Sequence, residues 1–252
     1  MKIEFVTHCW NYWRCLSLQL SSFILHPTEE VEVVVSVCYS PEDTATTDRL
    51  NQIVGWLQDN GCPRNLELRL HPMENSLLFR RAIGRNMLAL KTEADWVWFA
   101  DCDMMFNGGA IDNLGRYLMK LEEESPDIKM VFPRYVMAST QENGDELIYS
   151  VGDTWDEPLS APLESFHKKR YNTAIGGAQV VRKDVCISQG YLNDYPQFRR
   201  PETRWKRTRE DPLFRRKCIG SKGHPVVESN ICDGVSRVRH TKRGRFDIGL
   251  EM

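Results

Sequence analysis

The stretch "ADWVWFADCDMMFNGG", residues 94–109, decides how the chain is read. Its first part, "DWVWFA" (95–100), is an aromatic and β-branched run of strand length, suited to an interior. The run ends in Asp101 and Asp103, one position apart, two carboxylates that repel each other unless a cation lies between them. A buried strand that delivers two acids at its carboxyl end predicts a ligand-binding edge.

Working toward the N-terminus, helix-like and strand-like segments alternate. "SLLFRRAIGRNMLALKT" (76–92) reads as a long helix and "LELRLH" (66–71) as a strand. "SPEDTATTDRLNQIVGWLQDNG" (40–61) reads as a loop, a capped helix and a Gly stop. "VEVVVSV" (31–37) is the β-branched run of a buried parallel strand. Leu16, Leu20 and Ile24 stand at helical spacing, and "IEFVTH" (3–8) opens the chain as a strand. Such alternation predicts an α/β fold with a Rossmann-like, mostly parallel central sheet flanked by helices. Ligands bind such sheets outside the carboxyl ends of the strands, which is where Asp101-Cys102-Asp103 falls.

Toward the C-terminus the pattern changes. "KMVFPRYV" (129–136) and "DELIYSV" (145–151) read as strands of a smaller antiparallel part. "AIGGAQVVRKD" (174–184) reads as a Gly-Gly turn entering a strand, and "DPLFRRKCIG" (211–220) as a short helix. The expected organisation is a single domain over 1–252, with the pattern changing between 1–125 and 126–235 and a tail at 236–252.

Composition narrows the function classes. The 252 residues are 41% hydrophobic and 27% charged with a net charge of −2, which gives no global field for nucleic acid or an anionic membrane. Eight cysteines occur without a CxxC pair, so reduced core thiols are expected rather than zinc ligands. The opening segment lacks the apolar core of a secretion signal, and no window nears the roughly 18 apolar residues that span a bilayer. The expectation is a cytoplasmic protein with no transmembrane segment.

Two carboxylates flanking one residue can offer oxygens to a hard divalent cation, Mn2+ or Mg2+, that also takes phosphate oxygens. Alone, D-x-D is common, and either Asp could instead cap a turn. The longer stretch "FRRAIGRNMLALKTEADWVWFADCDMMF" (79–106) resembles the nucleotide-sugar core of glycosyltransferases of the GT-A fold, particularly those similar to glycosyltransferase family 2. The resemblance is close over these residues and looser through the rest of the chain.

The resemblance implies a GT-A type sheet and a nucleotide-sugar donor, most simply a UDP-sugar. It implies that Asp103 coordinates the metal while Asp101 contacts ribose or the metal's water shell. Arg85 would meet phosphate, with Arg81 and Cys102 also at the donor. "IGGAQ" is similar to the small-residue turn beneath the sugar, so Gly176 and Gly177 would allow close approach, although a plain hairpin turn also explains them. Asp211, with Glu210 second, would be the general base that takes the acceptor's proton in an inverting transfer, while helix capping explains the same pair. His240 would complete the metal shell and Lys242 would close over the diphosphate. His8, Ser40 and Asp43 sit after the first and second strands, where they could meet the base or ribose, and Ser40 and Asp43 equally suit a helix cap.

The implied activity is a hexosyl- or N-acetylhexosaminyl-transfer to a glycan or other hydroxyl acceptor. The arginine-dense run "FRRPETRWKRTR" (198–209) suggests that this acceptor is acidic. A sugar nucleotidyltransferase and a non-catalytic glycan- or partner-binding domain are the alternatives. The first usually carries a Gly-rich loop directly after the first strand, which this chain lacks: "THCWNYWRC" (7–15) instead holds Trp10, Tyr12 and Trp13, rings able to stack on a nucleobase or to pack in the core.

Overall fold

The computed structural model describes residues 1–204, 209–220 and 222–241. In chain order the first half runs β1 (Lys2–His8), α1 (Trp13–Leu25), β2 (Glu32–Tyr39), α2 (Thr44–Asn60) and β3 (Leu66–Pro72). It continues through α3 (Asn75–Leu78), α4 (Arg81–Ala89), β4 (Trp96–Ala100), β5 (Met104–Phe106) and α5 (Ala110–Glu124). The second half holds β6 (Met130–Pro133), β7 (Tyr135–Ala138), α6 (Gln141–Ser150), β8 (His167–Arg170), β9 (Ala178–Arg182) and α7 (Lys183–Gln189). It closes with α8 (Glu210–Ile219), β10 (His224–Val226), α9 (Ser229–Cys232) and β11 (Val235–Arg237).

Seven strands form a central sheet in the order β10-β6-β9-β4-β1-β2-β3. The strands β3, β2, β1 and β4 pair in parallel, as the alternating pattern predicts, while β9 runs antiparallel to both β4 and β6. This reversal matters for function. Ala178 at the start of β9 pairs with Ala100 at the end of β4, so the Gly-Gly turn before β9 reaches the edge where Asp101 emerges. A second sheet, β5-β11-β7-β8, packs beyond that edge.

The aromatic run of β4 is buried because β4 lies between β1 and β9, with helices on the faces of the sheet. Trp98 stacks on Phe5 at 5.4 Å and meets Phe106 edge-on at 4.9 Å, while its indole N–H donates to the Gly177 carbonyl at 3.0 Å. One ring thus packs the core and also pins the glycine turn under the site. Each such aromatic pair contributes about 0.5–1.5 kcal/mol beyond its buried area.

Three expectations are corrected. The segment read as a strand over 145–151 belongs to helix α6, whose Thr140 cap accepts from the Asn143 N–H at 3.1 Å and whose Leu147 is buried in a second small core. The segment 129–136 is two strands in two sheets, divided at Arg134. The helix expected over 76–92 is broken: Arg80 leaves the helical region at φ −108°, ψ 86°, and its buried guanidinium bonds to Glu202 and lies over the Phe198 ring. The opening strand β1 and the caps of α2 fall where the sequence places them, with Asp43 at the N-cap and Gly61 at φ +88° past the last turn, whereas β10 and β11 near the other end were not anticipated.

Candidate active site

The fold gathers four acidic side chains and three arginines at the carboxyl edge of β4. Asp101 and Asp103 leave β4 in a tight turn, closed by the Met104 N–H donating to the Asp101 carbonyl at 3.2 Å. Gln19 of α1 holds the same carbonyl at 2.9 Å. Arg81 and Arg85, one turn apart on α4, face this edge. Arg81 Nη1 is 2.8 Å from Asp101 Oδ1, and its other nitrogens reach Glu210 at 3.4 Å and Asp211 at 3.3 Å. Arg85 donates to Asp211 Oδ1 at 2.6 Å, to the Gly176 carbonyl at 2.9 Å and to Asp101 at 3.4 Å.

The turn "IGG" fits because it has no side chains. A Cβ on Gly176 would collide with Asp211 Oδ2, and one on Gly177 would lie 2.9 Å from Asp101 Oδ2. The two carboxylates therefore stand on either side of the glycine turn, held there by one buried arginine. Arg85 is fully buried, a position that a cation occupies only when paired. Burial works against its charge, yet Tyr191, Asp211 and Asp101 outweigh burial and the adjacent Arg81 and raise its pKa. The same opposition raises that of Arg81, where burial is overcome by Asp211, Asp101 and Glu210.

Two site residues were not anticipated. Tyr191, fully buried beside the Phe99 and Phe214 rings, donates its hydroxyl to Asp211 Oδ1 at 2.5 Å and accepts from Arg85 at 3.0 Å. Burial and the Asp211 charge push this phenol well above its ordinary pKa, so it stays a donor. Arg237, the last residue of β11, lies 3.1 Å from Asp103 Oδ2 and 3.7 Å from Asp101 Oδ2. Pairing of β11 with β5 places it opposite Met104, and the Val238 N–H then donates to the Asp103 carbonyl at 2.8 Å. Nothing in "GYLNDY" or "VSRVRH" announces either role, since both are made by contacts distant in sequence.

The remaining candidates distribute as follows. His8 is buried at the end of β1, neither ring nitrogen has a hydrogen-bond partner, and its Nε2 faces Gly84 of α4, where any Cβ would collide with it. Burial first, then the charges of Arg85 and Arg81, hold its pKa well below the usual histidine value. Asp43 is filled by its cap, accepting from Thr46 N–H at 3.2 Å, Thr46 Oγ1 at 2.6 Å and Asn11 N–H at 2.6 Å. Ser40 is buried and accepts from the Glu42 N–H at 3.2 Å. Cys102 points into the core, where a bond to Cys9 and burial raise its thiol pKa.

His240 packs edge-on against the Tyr12 ring at 5.1 Å. Among the described residues no three His, Cys, Asp or Glu side chains are grouped to hold a metal, so Asp101, Asp103 and His240 do not form a three-ligand set. Lys242 lies outside the described residues. Of the aromatics near β1, Trp10 packs on Phe79 and Trp13 lies under the Arg14 and Arg49 guanidinium groups, which leaves Tyr12 in a small recess of about 80 Å3 shared with Asn11, Tyr149 and His240. A larger hollow of about 810 Å3 lies along α6, lined by Glu142, Asp145, Glu146 and Tyr149, and includes none of the carboxylate–arginine cluster.

No family model matches the chain, and no curated protein sequence does. Solved structures match in fold. S. aureus TarS, solved as residues 1-349 in complex with UDP-GlcNAc, superposes with a TM-score of 0.58 at 18% identity, covering 98% of this chain and 61% of that one. A longer TarS structure gives 0.55 at 14% identity and is covered over 38% of its length. A mannosyltransferase from Pyrobaculum calidifontis in complex with GDP-Man and Mn2+ gives 0.54 at 14% identity, covering 96% of this chain and 58% of that one. The chain therefore spans less than two thirds of these structures. At these identities the likeness shows the fold, a mixed α/β GT-A-type glycosyltransferase fold with a seven-stranded, mostly parallel sheet. No helix among the described residues is long and apolar enough to cross a membrane.

Proposed function

We propose that this protein is a metal-dependent glycosyltransferase that moves a sugar, with inversion, from a UDP-sugar to an acceptor hydroxyl. The observation that carries the reading is the meeting of Asp101 and Asp211 around the Gly176-Gly177 turn, with Asp103 tied to Asp101 through Arg237, at the sheet edge where α/β folds bind ligands. The complexes of TarS with UDP-GlcNAc and of the mannosyltransferase with GDP-Man and Mn2+ support a nucleotide-sugar donor and a divalent ion.

The donor set fits such an ion. Asp103 Oδ1 is buried with no hydrogen-bond partner, an acceptor in need of a cation. Two carboxylates with no third protein ligand suit Mg2+ or Mn2+, which keeps water and substrate phosphate in its shell. The charges point the same way: four carboxylates against three guanidinium groups leave one negative charge, which would repel a diphosphate. Held by Asp103 and Asp101, the ion would neutralise charge on the departing nucleotide.

The chain's own groups do the rest. Arg85 and Tyr191 hold Asp211 by Oδ1 and leave Oδ2 beside the glycine turn with, among the described residues, only the longer 3.3 Å contact to Arg81. Asp211 Oδ2 takes the proton as the acceptor oxygen attacks the anomeric carbon, and Arg81 moves to the diphosphate as it leaves. Glycines 176 and 177 let the sugar approach both carboxylates. In this reading Tyr12, which lines a recess with Asn11 and His240, is the ring that stacks on the nucleobase.

The test is binding and hydrolysis of UDP-, GDP- and CMP-sugars with and without Mn2+, for the parent and for Asp103→Ala. Metal-dependent binding of one nucleotide class that disappears in the variant supports the reading. A folded parent that binds none of them sinks it.

A further inference from the structure

Two unusual backbone conformations flank one side chain of the site. Helix α7 ends at Gly190, whose φ of 57° and ψ of −168° belong to a region open almost only to glycine. Two positions later the fully buried Leu192 takes φ 62°, which a residue with a Cβ rarely adopts. Tyr191 stands between them. The turn is held by the Gly190 N–H donating to the Cys186 carbonyl at 2.8 Å and the Tyr195 N–H donating to the Leu192 carbonyl at 3.0 Å. Strained backbone of this kind persists only where its surroundings over-determine it, and it collects at functional positions.

What the strained turn delivers is one hydroxyl. The Tyr191 ring lies against Phe99 and Phe214, with centroids at 4.8 and 4.1 Å, and its O–H reaches Asp211 Oδ1. A carboxylate oxygen offers about two lone pairs, and both on Oδ1 are taken, by Tyr191 at 2.5 Å and Arg85 at 2.6 Å. The backbone of Asp211 is fixed as well, because its carbonyl accepts from Nε2 of the buried Gln179 at 3.2 Å. A proton arriving at Asp211 therefore has Oδ2 as its place. Arg85 divides its donors among Asp211, the Gly176 carbonyl and Asp101, whereas the single hydroxyl proton of Tyr191 goes to Asp211. Among the described residues the hydrogen bonds of that hydroxyl are to Asp211 and Arg85 and include neither Asp101 nor Asp103.

We propose that Tyr191 is a positioning residue for proton transfer: it acts through Asp211, holding Oδ1 so that Oδ2 meets the acceptor oxygen, and takes no part in binding the donor. The assignment rests on the transferase reading above, in which Asp211 is the base.

The experiment follows Mn2+-dependent hydrolysis of UDP-sugars, with water in the acceptor's place, for the parent, Tyr191→Phe, Asp211→Asn and the double variant. UDP affinity is titrated alongside. Tyr191→Phe keeps the ring against Phe99 and Phe214, so the chain still folds, as urea unfolding checks. Its kcat should fall roughly tenfold to a hundredfold, the range of a hydrogen bond to a charged group, with UDP affinity within about twofold of the parent's. In Asp211→Asn the same change should alter kcat by less than about twofold, because the group it acts through is gone. A ring needed only for packing would slow both backgrounds alike, and that result overturns the proposal. So does a parental kcat in Tyr191→Phe, or a fall in UDP affinity that matches the fall in rate and assigns the hydroxyl to the donor. Asp211→Asn at the parental rate, or a parent that hydrolyses no UDP-sugar, sinks the transferase reading itself and the positioning with it.

Discussion

The parallel strands β1 to β4 and the returning strands β6, β9 and β10 share one sheet, yet they serve the site differently. The first group follows a local rule: strand, helix, strand, each pairing with its neighbour in space. It presents Asp101, Asp103, Arg81 and Arg85 from elements that are adjacent in the chain, with Arg81 and Asp101 only 20 positions apart. The second group arrives from afar. Asp211 meets Arg85 across 126 positions, and Arg237 meets Asp103 across 134. The first half builds an anchored acidic edge, and the second supplies Asp211, the proposed base, together with the glycine turn and the last counter-charge. In the proposed transfer, donor binding and proton transfer would then fall to different stretches of chain, joined through Arg81 and Arg85, which pair with both Asp101 and Asp211.

The sharpest way to break that separation is Asp211→Asn. The carboxamide keeps the size but cannot take a proton, so kcat should fall by about 10²–10⁴ while UDP-sugar affinity, measured by titration, holds. Loss of donor binding with it would show that the halves are not separable. Gly176→Ala is the next largest: its methyl would meet Asp211 Oδ2, and a displacement near 1 Å costs about 10²-fold in rate. Steady-state kinetics should show the loss in kcat, with the Mn2+ requirement unchanged.

A pH experiment sharpens the comparison from the first half. His8 has a depressed pKa in the folded state, so the unfolded chain takes up the proton first as pH falls. Its contribution to stability is present above about pH 6.5 and declines below it, by at most about 1.4 kcal/mol per unit. Urea midpoints between pH 7.5 and 5 should show this slope in the parent and less of it in His8→Gln. The smallest effect expected is Thr140→Ala in the second half. Losing the α6 cap should cost about 1 kcal/mol in thermal or urea unfolding and leave donor binding alone.

How much of this was legible depends on the range of the interactions. The parallel strands β1 to β4, the α2 cap and the exit of Asp101 and Asp103 could be read from short windows, because hydrophobic period and turn residues act locally. Glu210-Asp211 and Gly176-Gly177 were found through resemblance, and their mutual contact through Arg85 was not legible. The segment 145–151 misled because Leu147, Ile148 and Val151 suit a strand, while the deciding signal, Thr140 as cap, lay five residues earlier. Tyr191 and Arg237 carried no signal. A tyrosine and an arginine are unremarkable until tertiary folding sets them beside carboxylates far away in sequence.

The position of Arg237 also has a bearing on biosynthesis. A chain made from its N-terminus completes β1 to β4 early, with Asp101 and Asp103 already at the end of their strand. Their shared counter-charge is on β11, so it is added only after 134 further positions have left the ribosome. During that interval the nascent acidic edge has α4 as its nearby source of positive charge. The cluster therefore reaches its final charge balance among the last events of folding, and a chain stalled before β11 would hold its acids without that partner.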